Sequence, residues 1–399
     1  MIKHYDIVVL GAGAVGLTSA LALTQIGYRV AVVATSPPHT DSTDPERAIA
    51  LSHGSCQLLG QWGVWPAIEA LGTGIIAHIE VCDPTGRGRV SIHHHELPVD
   101  ALGQVVEMGH IIAPIWDAVV TSCGIFCPAT VAALQQNDTH VCISLIHKNA
   151  PCQIQARLLV AADGSYSPTR RWAGIATKGW PHNRFAVVTS VSTAHGHHNT
   201  AYECFGHDGP LALLPMADGR LSLVWALAAN EAMRLLQCPD TLFKASLTKA
   251  LRATPARTLG AVSDIGKRGS FSLELRLAQQ MAKGRVVLVG NAGHTIHPVA
   301  GQGMNLGFRD VADLSALLSR ETARDDPAAS VLLQQYAQQR RCDVSAVASF
   351  TEGLLATFAP NHALASMARI WAMRSMVAKT PWEKRMVQHA TGIAQRKKS

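Results

Sequence analysis

The chain has 399 residues, of which 48% are hydrophobic and 16% are charged, and its formal net charge is +7. This composition excludes a mainly disordered protein and predicts one large domain or two closely joined ones. No apolar run reaches the about 20 residues that a membrane-spanning helix needs. Nine cysteines without a C-x-x-C pair are typical of free thiols in a reducing compartment. Since the first strand begins within the first six residues, we expect a cytoplasmic protein without a signal peptide.

The positive charge indicates an anionic partner, and the sequence favours a membrane surface over nucleic acid. Basic residues are scattered apart from a basic end at residues 396–398, no nucleic-acid motif accompanies them, and aromatic residues amount to 5%. Beyond Thr351 the sequence is rich in Ala, Met and Leu, with Trp371 and Trp382. This pattern fits an amphipathic helix on the bilayer or on a partner, and it fits a core helix as well.

The first thirty-five residues have the pattern of a dinucleotide-binding unit. Residues 6–10 predict a buried strand, residues 11–16 read Gly-Ala-Gly-Ala-Val-Gly, and an Ala/Leu-rich helix runs to about Ile26. A second strand is predicted at residues 29–34. In this setting the G-x-G-x-x-G motif indicates a phosphate-binding turn at the start of a helix.

Each glycine of this turn has a predicted task. Gly11 permits the tight turn, Gly13 lets a pyrophosphate approach the backbone, and Gly16 lets the helix pack on the strand. The acidic residue that should close the second strand and bind ribose hydroxyls is missing. Thr35 or Ser36 is left there as a neutral hydrogen-bond partner.

Two regions, at about residues 77–106 and 180–276, alternate short apolar segments with turns. This pattern predicts the antiparallel strands of a second sheet. The first region contains His93, His94 and His95. Because consecutive residues of a strand point to opposite faces, they cannot converge on one ion, and we expect a solvated loop. No metal site is predicted.

A second glycine turn follows a predicted strand at residues 158–162. Asp163 and Gly164 end this strand, and Ser167 and Arg170 follow in the spacing D-G-x-x-S-x-x-R. The Asp163 carboxylate can accept a hydrogen bond from a ligand hydroxyl or cap a helix that begins near Ser167. Arg170 can be tethered by a carboxylate or bind a phosphate. A purely structural Asp-Gly turn is the alternative.

The most informative stretch runs from Arg285 to Asp313. Residues 286–289 are apolar and mostly β-branched, which predicts a short strand buried on both faces. Residues 290–293 (Gly-Asn-Ala-Gly) break the strand, and Gly301-Gln-Gly303 leads into a helical pattern that begins at Met304. Such a loop delivers free backbone N–H groups at the start of a helix, which suits an anion or an electron-rich ring edge.

These three motifs, in this order, resemble those of the flavin monooxygenases with the p-hydroxybenzoate-hydroxylase fold. The resemblance spans roughly residues 5–345 and is closest to the ubiquinone-biosynthesis hydroxylases, including those that act on 2-polyprenyl-6-methoxyphenol. Asn291 departs from the family, which usually has Asp at this position, so a weaker or rearranged flavin contact is expected there. Tyr336, Arg340 and Asp343 resemble a family Y-x-x-x-R-x-x-D pattern, which we interpret as a structural Arg–Asp pair on one helix face.

The resemblance implies an α/β fold: a Rossmann-like FAD-binding domain with an inserted, mainly antiparallel β-sheet substrate domain and C-terminal helices. The implied divisions are an FAD-binding domain at residues 1–75, 105–178 and 277–345, a substrate domain at 76–104 and 179–276, and a C-terminal helical region at 346–399.

The resemblance also implies an activity. It is that of an FAD-dependent monooxygenase that hydroxylates a polyprenylated phenol in ubiquinone biosynthesis through a flavin C4a-hydroperoxide. NAD(P)H would be a transient co-substrate, because no second G-x-G-x-x-G motif exists to hold it. The implied partners are a lipophilic phenolic substrate, other ubiquinone-biosynthesis enzymes and the inner face of the cytoplasmic membrane.

The resemblance assigns Pro298 to the wall beside the flavin, and the backbone N–H groups of Gly303 and Met304 to the negative charge that develops on its ring. His294 is a candidate catalytic base, with His297 as its neighbour, and either can be a structural histidine instead. The cofactor contacts implied by the resemblance are Gly11, Gly13, Ala14, Gly16, Thr35, Arg47, Asp163, Gly164, Arg170, Gly290, Asn291, Gly301, Gln302, Gly303, Met304 and Asn305.

Two alternatives remain open at this point. A flavin-dependent reductase of isoprenoids shares the fold and needs no O₂. The second alternative is a non-catalytic FAD-binding subunit of a quinone-biosynthesis complex. Asn291 and Ala34, which depart from the family motifs, give this alternative some weight.

Overall fold

A computed structural model describes residues 2–38, 48–85, 87–206 and 208–358. Its helices are α1 Ala14–Gln25, α2 His53–Gln61, α3 Trp65–Ala70, α4 Met108–Ser122, α5 Pro168–Trp172, α6 Ala229–Gln237, α7 Asp240–Leu251, α8 Gln302–Leu318, α9 Thr322–Asp325 and α10 Ser330–Phe358. Its strands are β1 Ile2–Leu10, β2 Val30–Val33, β3 Ala48–Ser52, β4 Gly74–Ile76, β5 His78–Cys82, β6 Arg89–His93, β7 Gly103–Glu107, β8 Gly124–Phe126, β9 Ala129–Gln136, β10 Val141–His147, β11 Ala150–Ala161, β12 Thr177–Thr193, β13 Thr200–Gly206, β14 Gly209–Pro215, β15 Leu221–Ala228, β16 Val262–Ile265, β17 Gly269–Ala278, β18 Ala282–Lys283, β19 Val286–Leu288 and β20 His294–Thr295.

The first sheet has the order β18-β19-β11-β1-β2-β8, with β10 and β9 added beside β11. The strands from β19 to β8 run parallel. Residues 7–10 of β1, 158–161 of β11, and all of β2 and β19 are buried without alternation, because α1, α4 and α8 pack around this part of the chain. The α/β fold predicted from the sequence is thereby confirmed.

The register of the parallel strands brings the three predicted turns to one edge of the sheet. Leu10 lies beside Ala161 in the neighbouring strand, and Ala161 lies beside Leu288 in the next. The carboxyl ends of β1, β11 and β19 therefore coincide. The turns that follow these strands meet there, at the edge where α/β sheets bind ligands.

The second sheet is mainly antiparallel, with the order β20-β17-β12-β15-β14-β13-β5-β6 and β16 beside β12. Its edge strand β20 continues the loop that follows β19, so the second sheet is tied directly to the ligand edge of the first. One of its faces packs on α6 and α7 around the buried Phe243 and Trp225. A small third sheet, β3-β7-β4, lies between the other two, because Ala48 packs on Ala201 and Leu51 joins the core of the first sheet.

Two pairs of consecutive helices are separated by short breaks. Helices α2 and α3 are separated at Gly63, whose φ is +78°. Helices α6 and α7 are separate because Pro239 cannot continue a helix.

The His triplet does not form the solvated loop expected from the sequence. Strand β6 ends at His93, and His94 begins a short 3₁₀ turn. The His93 ring packs against His78 with centroids 4.6 Å apart, and His93 and His94 are half-buried. The prediction failed because His78, the partner that draws the rings together, comes from the preceding strand.

No helix within the described ranges has the length and apolarity needed to cross a membrane. The domain boundaries implied by the resemblance stay a prediction. The one between residues 345 and 346 falls within α10, which is continuous from Ser330 to Phe358. Arg47 and residues 359–399 lie outside the described residues.

Candidate active site

Two cavities lie along the edge where the three turns meet. The first, of about 1060 Å³, extends between this edge and the second sheet. The second, of about 900 Å³, lies over the end of β2. Gly13 and Ala162 line both, so the two cavities meet at the G-x-G-x-x-G turn. Together they form an elongated site, which suits an extended ligand.

The glycines of the first turn divide into two kinds. A Cβ atom on Gly11, whose φ is +115°, would collide with the carbonyl oxygen of Ala162, and one on Gly16 would collide with the carbonyl oxygen of Gly11. A Cβ atom on Gly13 would meet nothing within 4 Å. Two glycines therefore serve close packing, and Gly13 leaves open space at the start of α1. Ala14, the first residue of α1, lines the first cavity.

The far end of the second cavity carries the neutral residues predicted beyond β2. Thr35 and Ser36 line it together with Pro37 and Pro38. Hydroxyl groups are thus available where related turns carry an acid. Arg47, predicted to contact the cofactor, cannot be placed, because it lies outside the described residues.

The two oxygens of the Asp163 carboxylate have different roles, because one caps a helix and the other is available to a ligand. Its Oδ2 accepts a hydrogen bond from the Thr169 N–H at 2.9 Å, at the start of α5. Its Oδ1 is buried and has no hydrogen-bond partner among the described residues. Since Asp163 lines the second cavity, this oxygen is placed to accept a hydrogen bond from a ligand. Gly164, with φ +85°, lines the first cavity and leaves it open.

Arg170 connects two of the turns. Its guanidinium, 3% exposed, donates to the carbonyl of Ala292 at 2.7 Å and to the carbonyl of Ser165 at 2.9 Å. Burial lowers the pKa of this arginine. Both of these acceptors are backbone carbonyls, and the cofactor contact implied for Arg170 stays a prediction. Arg170 ties the Asp-Gly turn to the Gly-Asn-Ala-Gly turn.

The buried carboxylate of Asp310 forms a hydrogen bond with the backbone of the third turn. Gly290, with φ +58°, donates its N–H to Asp310 Oδ2 at 2.7 Å. A Cβ atom here would lie 3.1 Å from Val15, so Gly290 also serves the close packing of α1. Asn291 is exposed and lines the first cavity.

The start of α8 faces the first cavity. Gly301, with φ +62°, turns the chain into the helix, which has no side-chain cap. The first-turn residues Gln302, Gly303 and Met304 line the cavity, and a Cβ atom on Gly303 would meet nothing within 4 Å. Because the first N–H groups of a helix have no partner within it, this end favours negative charge. Pro298 lines the same cavity.

Asn305 braces the loop with its side chain. The amide nitrogen donates to the carbonyls of Ala50 at 3.0 Å and Gly301 at 2.8 Å, and its oxygen accepts from the Ser52 N–H at 2.9 Å. These bonds hold β3 against the start of α8. Asn305 therefore borders the cavity as a positioning residue whose amide is occupied by backbone groups.

The two histidines of the loop lie behind the cavity wall. His294 is fully buried, with Nε2 2.6 Å from Asp310 Oδ2, and Arg340 Nε donates to Asp310 Oδ1 at 2.7 Å. Burial opposes ionisation of Asp310, but His294 and Arg340 outweigh it and hold its pKa below the usual value. Burial, aided by His182, lowers the pKa of His297 to about 3, so this ring is neutral. Neither histidine lines either of the two cavities described above, so neither is placed to take a proton from a substrate bound there.

The Y-x-x-x-R-x-x-D pattern has the structural role predicted for it. Arg340 Nη2 lies 2.8 Å from Asp343 Oδ2, three residues along α10. Tyr336 donates its hydroxyl hydrogen to the carbonyl of Leu288 in β19 at 2.8 Å. The pattern thus ties α10 to the strand that precedes the third turn.

Sequence reasoning missed one wall of the first cavity. Phe350, Leu354 and Phe358 of α10 line it. Their spacing of four residues places them on one face of a helix, and this signal was available in the sequence. The last turn of α10 is thereby part of the site.

The site fits FAD by several independent features. The elongated space begins at a G-x-G-x-x-G turn, Gly13 and Gly303 leave it open, and the buried Asp163 Oδ1 lacks a partner among the described residues. The uncapped start of α8 supplies donors at the other end. A dinucleotide with a pyrophosphate near Gly13 and an electron-rich ring near Gly303 satisfies each of them.

Comparison with known proteins agrees with this geometry. The FAD binding domain family matches residues 4–351. The ubiquinone hydroxylase UbiL of Rhodospirillum rubrum is 32% identical over 98% of this chain and 90% of its own. The 3-demethoxyubiquinol 3-hydroxylase of Escherichia coli is 31% identical over 85% of this chain and 86% of its own.

A solved structure, p-nitrophenol 4-monooxygenase PnpA from Pseudomonas putida DLL-E4, has the same fold. Its TM-score is 0.79 at 19% identity, and the match covers 98% of this chain and 99% of that one. The match to the family and the relatives of similar length support a more specific assignment than the shared fold does. The chain belongs to the FAD binding domain family, and within it to the FAD-dependent monooxygenases.

Proposed function

We propose that the protein hydroxylates the ring of a polyprenylated phenol in ubiquinone biosynthesis, with NAD(P)H as electron donor and O₂ as oxygen source. The names of the two relatives, a ubiquinone hydroxylase and a demethoxyubiquinol hydroxylase, support this choice. The observation that carries it is the first cavity. Its size and apolar walls suit a ring that bears a long hydrocarbon chain.

The cavity is large enough for more than a small aromatic ring. Its volume of about 1060 Å³ lies just above the range of about 300–1,000 Å³ typical of ligand pockets. The walls that face it from the second sheet and α10 are largely apolar, and include Ile79, Val81, Val90, Ile92, Leu214, Val224, Phe350 and Leu354. Each methylene that such a wall buries contributes about 0.8 kcal/mol. A prenyl chain therefore gains affinity there.

An aromatic pair closes the cavity at the last turn of α10. The rings of Phe205 and Phe358 stack with centroids 3.9 Å apart and an interplanar angle of 11°, and both residues line the cavity. We assign the prenyl chain to the space that leads to this pair. The phenolic ring then lies toward the start of α8.

The protein's part in the reaction is to bind, orient and exclude water. FAD, when bound, supplies hydride acceptance from NAD(P)H and the oxygen chemistry of the hydroxylation. We propose that Pro298 forms the wall beside the flavin ring. The N–H groups of Gly303 and Met304 favour negative charge on that ring, and Asp163 Oδ1 accepts a hydrogen bond from a cofactor hydroxyl.

A membrane surface is the proposed source of the lipid substrate. Residues 359–399 contain eight Lys or Arg and one acidic residue, which leaves 27 of each sign in residues 1–358. The scattered basic residues are thus balanced, and the whole net charge of +7 belongs to the segment that directly follows Phe358. Attraction to anionic lipid contributes about 1 kcal/mol per basic residue near the surface.

The activity is tested with purified protein, FAD, NAD(P)H and a phenol that carries a short prenyl chain. The expected result is a product heavier by one oxygen atom, formed only when O₂ is present. NAD(P)H-dependent reduction of isoprenoid double bonds without O₂ would identify an isoprenoid reductase instead. A protein that binds FAD but does not oxidise NAD(P)H with any prenylated phenol would be the non-catalytic subunit.

The membrane contact is tested by sedimentation with vesicles of phosphatidylglycerol or phosphatidylcholine. The full chain should bind the anionic vesicles and be released by salt, since surface electrostatics are screened within about 8 Å at physiological ionic strength. A chain that ends at Phe358 should lose this binding. Equal binding to both kinds of vesicle would contradict the electrostatic proposal.

A further inference from the structure

The wall that α10 adds to the first cavity extends beyond the part of this helix that lies in a hydrophobic core. Ala348 packs in a core cluster with the second sheet and α8, and Thr351 is the last buried residue of α10 in the described part of the chain. Phe350 and Leu354 line the cavity, although residues 352–358 are half-buried or exposed. A helix end with so few buried residues opens easily unless specific contacts hold it.

A β-bulge in strand β12 directs one side chain toward this part of α10. The pairing of β12 with β17 shifts between Pro181 and Arg184, so that β17 has no partner for the two residues between them, His182 and Asn183. Asn183 has a left-handed φ of +55°. The bulge turns His182 out of the regular strand, because an unpaired residue is free to aim its side chain differently from its neighbours.

The side chain of His182 meets a carboxylate of α10. Its Nε2 lies 3.2 Å from Oε1 of Glu352. Both atoms are buried, and neither has a hydrogen-bond partner among the residues that the structure describes. A buried polar group is costly unless another group compensates it, so this contact offsets the burial of both. On its other side the His182 ring packs edge to face against His297, with centroids 5.2 Å apart.

Glu352 and the two wall residues lie on opposite faces of α10. Phe350 and Leu354 are each two positions away from Glu352, which corresponds to about 200° around the helix axis. Glu352 instead continues the face of Ala348, which lies one turn earlier and packs in the core. A contact that holds Glu352 therefore fixes the rotation of the helix that presents Phe350 and Leu354 to the cavity.

We propose that His182 and Glu352 are a positioning pair, which holds the last two turns of α10 as the wall against which the prenyl chain of the substrate packs. This assignment rests on the proposed function. Phe350 and Leu354 touch the chain, and the pair acts through them. The pair thereby determines how strongly the enzyme favours a long prenyl chain over a short one, whereas the reaction at the start of α8 does not depend on it.

The first part of the test measures the position of α10 without catalysis. Hydrogen exchange of the backbone amides at residues 350–358 is compared in the full-length holoenzymes of wild type, His182→Ala, Glu352→Ala and the double variant. Each single variant should exchange about fivefold faster there, because the helix end loses a contact that keeps it closed. The double variant should exchange like the single ones, since a contact can be broken only once. Arg341→Ala, at an exposed position of α10, is the control and should exchange like wild type.

The second part measures the consequence for the substrate. The same proteins hydroxylate phenols that carry either one prenyl unit or several. In His182→Ala and Glu352→Ala, KM for the long-chain phenol should rise about fivefold, because the apolar wall no longer packs closely on the chain. KM for the short-chain phenol, kcat for both phenols and FAD content should stay at wild-type values. A merely structural defect would instead change FAD content or kcat.

Each part has an outcome that overturns the proposal. Wild-type exchange at residues 350–358 in both single variants would show that the pair does not hold α10. Effects that multiply in the double variant would show that His182 and Glu352 act independently. Equal changes of KM for both phenols would contradict the role in selecting chain length. If wild type hydroxylates neither phenol, the proposed function fails, and hydrogen exchange still decides whether the pair positions α10.

Discussion

Substitution of Gly303 tests the placement of the cofactor, because a side chain added to this glycine would enter the cavity. A Cβ atom there would meet no atom within 4 Å, and the residue lies in the first turn of α8. We expect the Gly303→Leu apoprotein to fold with unchanged or slightly higher stability. Leucine is a better helix former than glycine by up to about 0.8 kcal/mol. The leucine side chain then extends into space that the flavin ring needs.

The loss of FAD affinity can be estimated from the cost of overpacking. Extra methyl and methylene groups in a well-packed site cost about 1–3 kcal/mol. Since 1.4 kcal/mol corresponds to a tenfold change in Kd, FAD should bind at least about 5- to 150-fold more weakly. The control is Gly353→Leu, because Gly353 is an exposed helical glycine in α10 that also has no atom within 4 Å of its Cβ position.

The assay is titration of each apoprotein with FAD, followed by the change in flavin fluorescence, with thermal unfolding of the same apoproteins as the measure of folding. Gly353→Leu should bind FAD like wild type. Wild-type affinity in Gly303→Leu would refute the placement of the flavin ring at the start of α8. Loss of affinity together with a lower Tm of the apoprotein would refute the argument that the position is open.

Three further predictions follow from single contacts. Asp163→Ala and Ser167→Ala each remove one cap of α5 and should each lower the free energy of unfolding, measured with urea, by about 1 kcal/mol. Only Asp163→Ala should also weaken FAD binding. Equal FAD affinity in the two variants would contradict the role of Asp163 Oδ1. Burial holds the pKa of His297 at about 3, below its usual 6.5, so protons bind the unfolded state preferentially and stability falls as the pH drops from about 6.5. His297→Gln should reduce this fall in the free energy of unfolding by about 1.4 kcal/mol per pH unit, measured by urea unfolding, whereas the control His4→Gln, at an exposed position, should not. The same dependence of stability on pH in wild type and both variants would contradict this prediction. Phe358→Ala opens the aromatic pair and should raise turnover of long-chain phenols relative to short-chain ones, and a parallel change for both lengths would argue against the assigned path of the prenyl chain.

The two departures from the family motifs fall at different points of the site. Asn291 is exposed on the wall of the first cavity, and Thr35 and Ser36 supply hydroxyls where an acid is usual. Neither departure disturbs the turns, because the turns depend on glycine backbone conformation and on Asp310, which holds Gly290 from behind. The fold therefore tolerates both changes.

Local backbone chemistry made the three turns predictable. Each consists of glycines after a continuous apolar run, and a buried strand that ends in glycine predicts a ligand edge wherever parallel strands are adjacent. Gly11, Gly13 and Gly16 have the packing and open space expected of them. The Arg340–Asp343 pair was predictable for a similar reason, because its partners lie three residues apart on one helix.

Only the tertiary structure decided which side chains face the cavities. Arg170, His294 and Asn305 stand in the motifs, yet their polar atoms bond Ala292, Asp310 and Ala50. These partners lie between 16 and 255 residues away along the chain, and no local pattern reports them. The sequence by itself thus determined the turns, because they depend on backbone conformation over a few residues, and the resemblance that these turns carry implied the class of cofactor. The wall formed by α10 emerged only from the folded chain, because a cavity is defined by surfaces that distant segments bring together.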